Sequence, residues 1–351
     1  MPFLKQVIFC IVLILSSTMT DAKILFTVRH DIHKGDEGVY VMDDNGDNVT
    51  QLRRNEIREK YESRWAINGE LIGLMIYHSH FGGLYLMNPD GSNIQKFIGP
   101  KELKADLGKF AFSPDGNYIV FSMIQEINRK NVRSVRVINI KTRKIKKIAD
   151  DLNIAQLDWS PDGKYIIFST PVQLGGERAG NSIYIMDADG DNIREVLAPP
   201  IGDELNIGRW APKWSSDGRY FVYRQIDYTW EERKPEIVSM ITKAFRYFIA
   251  DKDGNTVKRL NIPIDISCID IDWMDDDKSI VFTGRKAALN ELPLGWGENP
   301  PHTIYKYNIK TGEMKRLTDF EGDHFYIDWI SDDVLSVSPE GKKPTQWGTI
   351  K

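Results

Sequence analysis

Trp159-Ser160-Pro161-Asp162-Gly163-Lys164-Tyr165-Ile166-Ile167-Phe168 compresses an aromatic anchor, a turn and an apolar run into ten residues. Two further stretches repeat it almost unchanged: Phe112-Ser113-Pro114-Asp115-Gly116-Asn117-Tyr118-Ile119-Val120-Phe121 and Trp214-Ser215-Ser216-Asp217-Gly218-Arg219-Tyr220-Phe221-Val222-Tyr223. Worn copies begin at Trp65, Trp273 and Trp329, so that successive anchors stand 47, 47, 55, 59 and 56 residues apart. In the two Ser-Pro-Asp-Gly copies proline pre-sets φ, and in all three aspartate bonds the backbone two residues on and glycine takes the left-handed position. A strand-turn-strand unit at this period predicts a propeller blade.

A second motif interleaves with the first. It occupies residues 40–48, 85–93, 136–144, 184–192, 247–255 and 305–312, each time as a strand running into a polar turn. A short strand then closes the unit at Leu52, Phe97, Ile148, Leu197, Leu260 or Leu317. Every unit thus supplies four strands: A ends at the anchor, B follows the first turn, C carries the second motif and D closes. One such sheet cannot bury both faces, but six stacked around an axis can. The repeats are out of phase with the termini. Ile24–Val28 is a B strand with no A strand before it, and Phe325–Trp329 is an A strand with no C or D strand after it. The expected fold is therefore all-β, a six-bladed β-propeller of four-stranded antiparallel blades closed by N- and C-terminal strands, which removes the free edges of an open array.

The first residues read as a secretory signal. Lys5 supplies the charge, Val7–Leu15 the apolar core, and Thr20 and Ala22 the small residues of a cut before Lys23. Nine apolar residues are far fewer than the roughly 20 that span a bilayer. The expected organisation is a signal peptide over 1–22 and one propeller domain over 23–351, periplasmic or secreted, with no transmembrane segment after cleavage and a monomeric state. Cys10 lies in the apolar core behind bulky Phe9, which argues against a lipoprotein site. Cys268 is then the sole remaining cysteine, in an alternating strand pattern, and reads as a packed thiol. The net charge of −4 argues against nucleic acid as a partner. The basic run Lys141, Arg143, Lys144, Lys146, Lys147 alternates with Thr142 and Ile145 as the solvated face of an outer strand does.

Trp-Ser-Pro-Asp-Gly-Lys-Tyr-Ile-Ile-Phe at 159–168, with Ile183-Tyr184-Ile185-Met186-Asp187-Ala188-Asp189-Gly190-Asp191-Asn192, resembles the repeat of the TolB-type propellers of bacteria. The resemblance covers residues 23 to 338 and implies a periplasmic or secreted propeller that docks a protein at its channel mouth. It covers the propeller of such proteins and not the α/β domain that precedes it in TolB.

Strand order puts the A–B and C–D turns on one face and the B–C and D–A connections on the other. The long B–C segments at 171–182, 225–246 and 284–303 are expected as loops, and long loops on a rigid scaffold are where binding residues concentrate. Trp230 and Arg233 in one, near Tyr228, Glu231, Glu232 and Lys234, and Trp296 in another, near Leu294 and Pro300, are the candidate partner contacts. All six histidines are expected on this face: His30, His33, His78, His80 and His302 in B–C loops and His324 in a D–A loop. Imidazole is the commonest side-chain metal ligand, so His30, His78, His80 and His324 form an alternative site for one divalent metal ion. Some pectin-degrading lyases resemble this fold and hold such an ion. Asp187, Asp189 and Asp191 lack the closing glutamate of a calcium loop and read as a hairpin turn. No nucleophile elbow, phosphate-binding loop or paired-cysteine metal signature occurs. The resulting expectation is a non-enzymatic scaffold, without cofactor, that binds a protein or glycan through its long-loop face. The alternative is a metal-assisted polysaccharide lyase or hydrolase.

Overall fold

The structure, a computed structural model, describes residues 22–31, 36–54, 60–77, 82–170, 181–199, 205–234, 237–291 and 300–336. The signal reading of residues 1–21 and the tail beyond 336 lie outside them.

Blade one takes its outer strands β1 (Lys23–Asp31), β2 (Asp36–Asp43) and β3 (Thr50–Arg54) from the N-terminal end. Blade two holds β4 (Lys60–Trp65), β5 (Ile72–Tyr77), β6 (Gly83–Met87) and β7 (Gln95–Ile98), followed by the short helix α1 (Pro100–Leu103). Blade three holds β8 (Asp106–Phe112), β9 (Tyr118–Ile127), β10 (Lys130–Asn139) and β11 (Ile145–Asp150). Blade four holds β12 (Gln156–Trp159), β13 (Tyr165–Ser169), β14 (Ile183–Asp187) and β15 (Arg194–Leu197). Blade five holds β16 (Asn206–Trp214), β17 (Tyr220–Lys234), β18 (Ile237–Asp251) and β19 (Thr256–Leu260). Blade six holds β20 (Ile266–Met274), β21 (Ser279–Lys286), β22 (Thr303–Asn308) and β23 (Met314–Arg316). The chain then returns to blade one as β24 (Asp323–Ile330) and ends in α2 (Asp332–Ser336).

Each sheet runs in the order A-B-C-D, and blade one is β24-β1-β2-β3. Ile24 pairs with Trp329 and Lys23 with Ile330, so the two ends of the propeller complete one sheet as the repeat phase requires. The A strands touch in succession, and β24 meets β4 to close the circle.

Apolar side chains fill the gaps between blades. Val120 and Val135 of blade three pack with Trp159, Ile166 and Phe168 of blade four, and the Phe168 ring stacks on Tyr184. Fully burying one such side chain contributes about 1.5–3 kcal/mol. The second turn of each blade leans on its neighbour. At Gly190, φ is 99° and a Cβ would lie 1.9 Å from the Ile148 carbonyl oxygen, so both the backbone angle and the close approach demand glycine. Blade three has no glycine in that turn. Arg143 makes the junction instead, donating to the Phe97 carbonyl oxygen with its guanidinium 4.0 Å from the Phe97 ring centre.

Two expectations need correction. Residues 225–246 do not form a loop: Tyr228 and Trp230 lie in β17, which pairs with β18 out to Lys234 and Ile237. Tyr228 and Ile241 are buried, and that burial pays for extending the ribbon. His30 and His324 likewise lie within β1 and β24, not in connections, and His324 pairs with Val28. By contrast, 187–192 is the expected hairpin turn, with Asn192 Nδ2 donating to Asp187 Oδ2 at 2.7 Å. Cys268 is buried against Tyr247, and burial pushes its thiol up to about 12.

Candidate binding site at the propeller channel

In an inner strand the anchor aromatic turns into the interblade layer, so the residue before it faces the other way, toward the axis. That position holds Arg64, Ala111, Asp158, Lys213, Asp272 and Asp328, one per blade, and all six line a single cavity of about 250 Å³. Its walls include the anchors Trp65, Trp159, Trp214, Trp273 and Trp329, and Val334 of α2 stands at its edge. The cavity opens on the face of the tight turns, since Pro161, Ser215, Ser216 and Asp277 also border it.

The three aspartates of this ring latch blade to blade. Asp328 Oδ2 accepts the Trp65 backbone N–H at 2.6 Å, Asp158 Oδ2 that of Trp214 at 3.0 Å, and Asp272 Oδ2 that of Trp329 at 2.9 Å. The cations sit among them. Arg64 lies 3.2 Å from Asp270, 3.5 Å from Asp328 and 3.6 Å from Glu62. Lys213 lies 3.1 Å from Asp158 and 3.5 Å from Asp328. Further along the axis Glu62 takes the Lys109 ammonium at 2.5 Å and the Tyr77 hydroxyl at 3.0 Å, and Lys109 stands 5.0 Å from the Tyr326 ring centre.

Burial and pairing pull these groups in different directions. Burial pushes the Asp272 carboxyl up to about 7 against the attraction of Lys213, and it also raises Asp270 despite Arg64. For Glu62 burial acts upward too, but Lys109 and Arg64 outweigh it and hold the carboxyl low. Burial works to lower Arg64, yet Asp270, Asp328 and Glu62 keep its guanidinium firmly charged. Such a constellation ties blades together and sets a fixed field along the axis. No side chain in it has the arrangement of a nucleophile beside an orienting base. Sequence reading passed over this ring, although a simple signal marks it: the residue before every anchor.

Of the expected partner contacts, Trp230 lies toward the opposite face. Trp230 packs edge-on against buried Tyr228, ring centres 5.5 Å apart, on the β17–β18 ribbon. The side chain of Arg233 and all of Trp296 lie outside the described residues, as do His33, His78 and His80. The remaining histidines gather at one corner. His30 Nε2 is 2.8 Å from the Tyr40 hydroxyl, and His324 Nδ1 donates to the His302 carbonyl oxygen at 2.7 Å. His302 Nδ1 is 2.7 Å from Asp323 Oδ1. Burial lowers His302 and His324 below the usual imidazole range, against the pull of Asp323. Of the alternative metal set, His30 and His324 are thus engaged with Tyr40 and His302. Among the described residues no three His, Cys, Asp or Glu side chains are grouped to hold a metal ion.

No protein-family model and no curated protein matches the sequence. Solved structures do. TolB from Acinetobacter baumannii superposes with a TM-score of 0.62 at 15% identity, over 88% of this chain and 66% of that one. The chain therefore spans just under two thirds of TolB. An oligogalacturonate lyase in complex with manganese gives 0.52 at 15% identity, over 85% of this chain and 81% of that one. A chain of the nidogen/laminin complex gives 0.56 at 10% identity, over 89% and 99%. Similarity at these identities speaks to fold, and propellers host many activities. In fold, the protein is a TolB-like six-bladed β-propeller.

Proposed function

We propose that the protein is a secreted or periplasmic, non-enzymatic binding scaffold that docks a protein partner or a glycan on the face opposite the tight turns. The observation that carries this reading is the β17–β18 ribbon. Its strands run 15 residues each, where the matching strands of blade four run 5. Beyond Tyr228, the last β17 residue paired with β16, the ribbon continues to Lys234, roughly 20 Å at the usual rise per residue. Ile241 anchors it, and the Asn290 N–H donates to the Thr242 carbonyl oxygen at 2.9 Å, tying it to blade six. A braced arm carrying a partly exposed tryptophan is a pre-organised contact that costs little to order on binding. The channel chemistry agrees with a scaffold, because its charges are committed to one another and to backbone N–H groups.

The test is a triple variant, Trp230→Ala, Arg233→Ala and Trp296→Ala, assayed against a partner captured with the unaltered protein. Loss of binding with an unchanged melting temperature supports the reading, and undiminished binding removes it. Elemental mass spectrometry on chelator-free protein is the second check. A stoichiometric divalent metal that disappears on changing His78 and His80 would replace the scaffold with the metal-assisted lyase or hydrolase.

A further inference from the structure

Val120 and Val135 turn toward blade four, so the strand register places Ser122, Ile124 and Arg133 on that same face of blade three. Residues 152–154, which join blade three to blade four, border the same space. With Lys109, Tyr77 and Tyr326 they line a cavity of about 330 Å³. Tyr77 ends a B strand, Arg133 lies early in a C strand and 152–154 joins D to A, so the cavity lies away from the tight turns. Two bulges aim side chains into it. β8 slips against β9 between Leu107 and Phe110, and a Cβ on Gly108 would lie 2.4 Å from the Ser122 Oγ. The bare backbone lets that hydroxyl in, where it accepts the Lys109 N–H at 2.9 Å. β24 slips against β1 between Phe325 and Asp328, and Tyr326 takes a φ of 49°, a left-handed angle uncommon outside glycine. Bulges and strained angles of this kind re-aim side chains beside functional sites.

The charge of this cavity runs against that of the acidic chain. Lys109 and Arg133 line it, and among the described residues no carboxylate does. Lys109 is spent on Glu62, which holds the ammonium charged against burial. Arg133 is unspent: among the described residues no carboxylate pairs with it, and its Nε is buried without a hydrogen-bond partner. Neutral donors stand nearby. The Ser122 hydroxyl and the Asn153 amide donate to no described residue, and burial pushes the Tyr326 phenol up, so its hydroxyl stays neutral. Leu152, Ile154 and the two tyrosine rings make the apolar wall. We propose that this cavity binds a small monocarboxylate with a flat apolar body, its carboxylate on Arg133 and its body against the tyrosine rings. The guanidinium fork matches a carboxylate, and the cavity volume falls in the range of small-molecule sites, roughly 300–1,000 Å³. A dianion such as phosphate would keep one charge unbalanced close to buried Glu62. This site is separate from the β17–β18 arm and does not depend on it.

The probes are benzoate, phenylacetate and hydrocinnamate, titrated by calorimetry into the purified full chain. Their neutral amides, acetate and inorganic phosphate are the controls. At least one probe should saturate at one molecule per chain, with a dissociation constant of about 1 mM or tighter. Its amide and acetate should each bind at least tenfold more weakly, and phosphate should not displace it. Arg133→Gln should weaken binding at least tenfold. Lys146→Gln, an equal change of charge at an exposed position of the same blade, should leave it unchanged. Trp230→Ala should leave it unchanged too, so that this proposal and the arm fail separately. Equal melting temperatures verify that Arg133→Gln folds, and where they differ the amide comparison on the unaltered protein decides. Absence of saturation by all three probes overturns the proposal. So does an amide that binds as well as its carboxylate, displacement by phosphate, or indifference to Arg133→Gln in a folded variant.

Discussion

Blades four and five share one end and differ at the other. At the tight-turn end they are superimposable in chemistry. Ser160 Oγ donates to Asp162 at 2.7 Å and accepts the Tyr165 N–H at 2.8 Å, and Ser215 does the same with Asp217 at 2.8 Å and Tyr220 at 3.0 Å. At the far end β13 of blade four ends at Ser169, whereas β17 of blade five runs on into a two-stranded arm. The tight-turn end is where neighbouring blades lock together, through the aspartate latches and the turn glycines. Length can change there only by breaking the ring. The ties described at the far end, such as Asn290 to Thr242 and Arg209 to Asn181, are backbone contacts outside the ring of latches, so residues added there extend outward without disturbing closure.

Changes at the locked end should therefore cost far more than changes in the arm. Gly190→Ala should be the most damaging, lowering stability by about 3 kcal/mol or more in denaturant unfolding, because left-handed strain adds to a backbone clash. Asp158→Ala removes the latch from blade four to blade five and leaves Lys213 with Asp328 alone. The expected loss is about 2–3 kcal/mol, and a loss below half of that would mean the latch is incidental.

Asp272 makes the locked end sensitive to pH. Its folded-state carboxyl, pushed up to about 7, binds a proton that the unfolded chain has already released above the ordinary carboxylate range. Its contribution is fully present below the unfolded value and is lost as pH rises through about 7. Stability should fall by about 1–2 kcal/mol from about pH 5.5 to about pH 7.5, and Asp272→Asn should flatten that slope. An unchanged slope in the variant would exclude Asp272 as the source. Ser160→Ala and Ser215→Ala should each cost about 1 kcal/mol, and by equal amounts, if the two turns are truly equivalent. Replacing residues 230–240 by an Asn-Gly turn, which keeps the Thr229–Ile241 pair, is the mildest change. It should leave unfolding within about 0.5 kcal/mol while abolishing partner binding, and a large loss of stability would show that the arm is part of the core.

The locked end was legible in the sequence because its determinants are local. Proline, aspartate and glycine within four residues specify a turn wherever they occur, and the phase of the copies revealed the shared blade. The axis was half legible. Alternation from each tryptophan places Arg64, Lys213 and Asp328 on the channel, but no local rule says that Arg64 meets both Asp270 and Asp328. That pairing exists only once six strands converge. The arm was misread for a different reason. Tyr228-Thr229-Trp230-Glu231 alternates as a strand does, yet the repeat length assigned these residues to a surplus, and surplus was taken for loop. His324 was misplaced by the same habit, because the A strand of blade one begins earlier than its anchor motif indicates.

The pairing of β1 with β24 also has a consequence in time. Ile24 finds Trp329 only after about 300 intervening residues have been made. Until then β1, β2 and β3 wait without an inner strand, and blades two to six form an arc with both ends exposed. At ordinary rates of synthesis, about 5–20 residues per second, that interval lasts on the order of tens of seconds. The last strand to be synthesised therefore sets the moment when the ring becomes safe from other chains. Weakening β24 should show first as poor yield of folded protein.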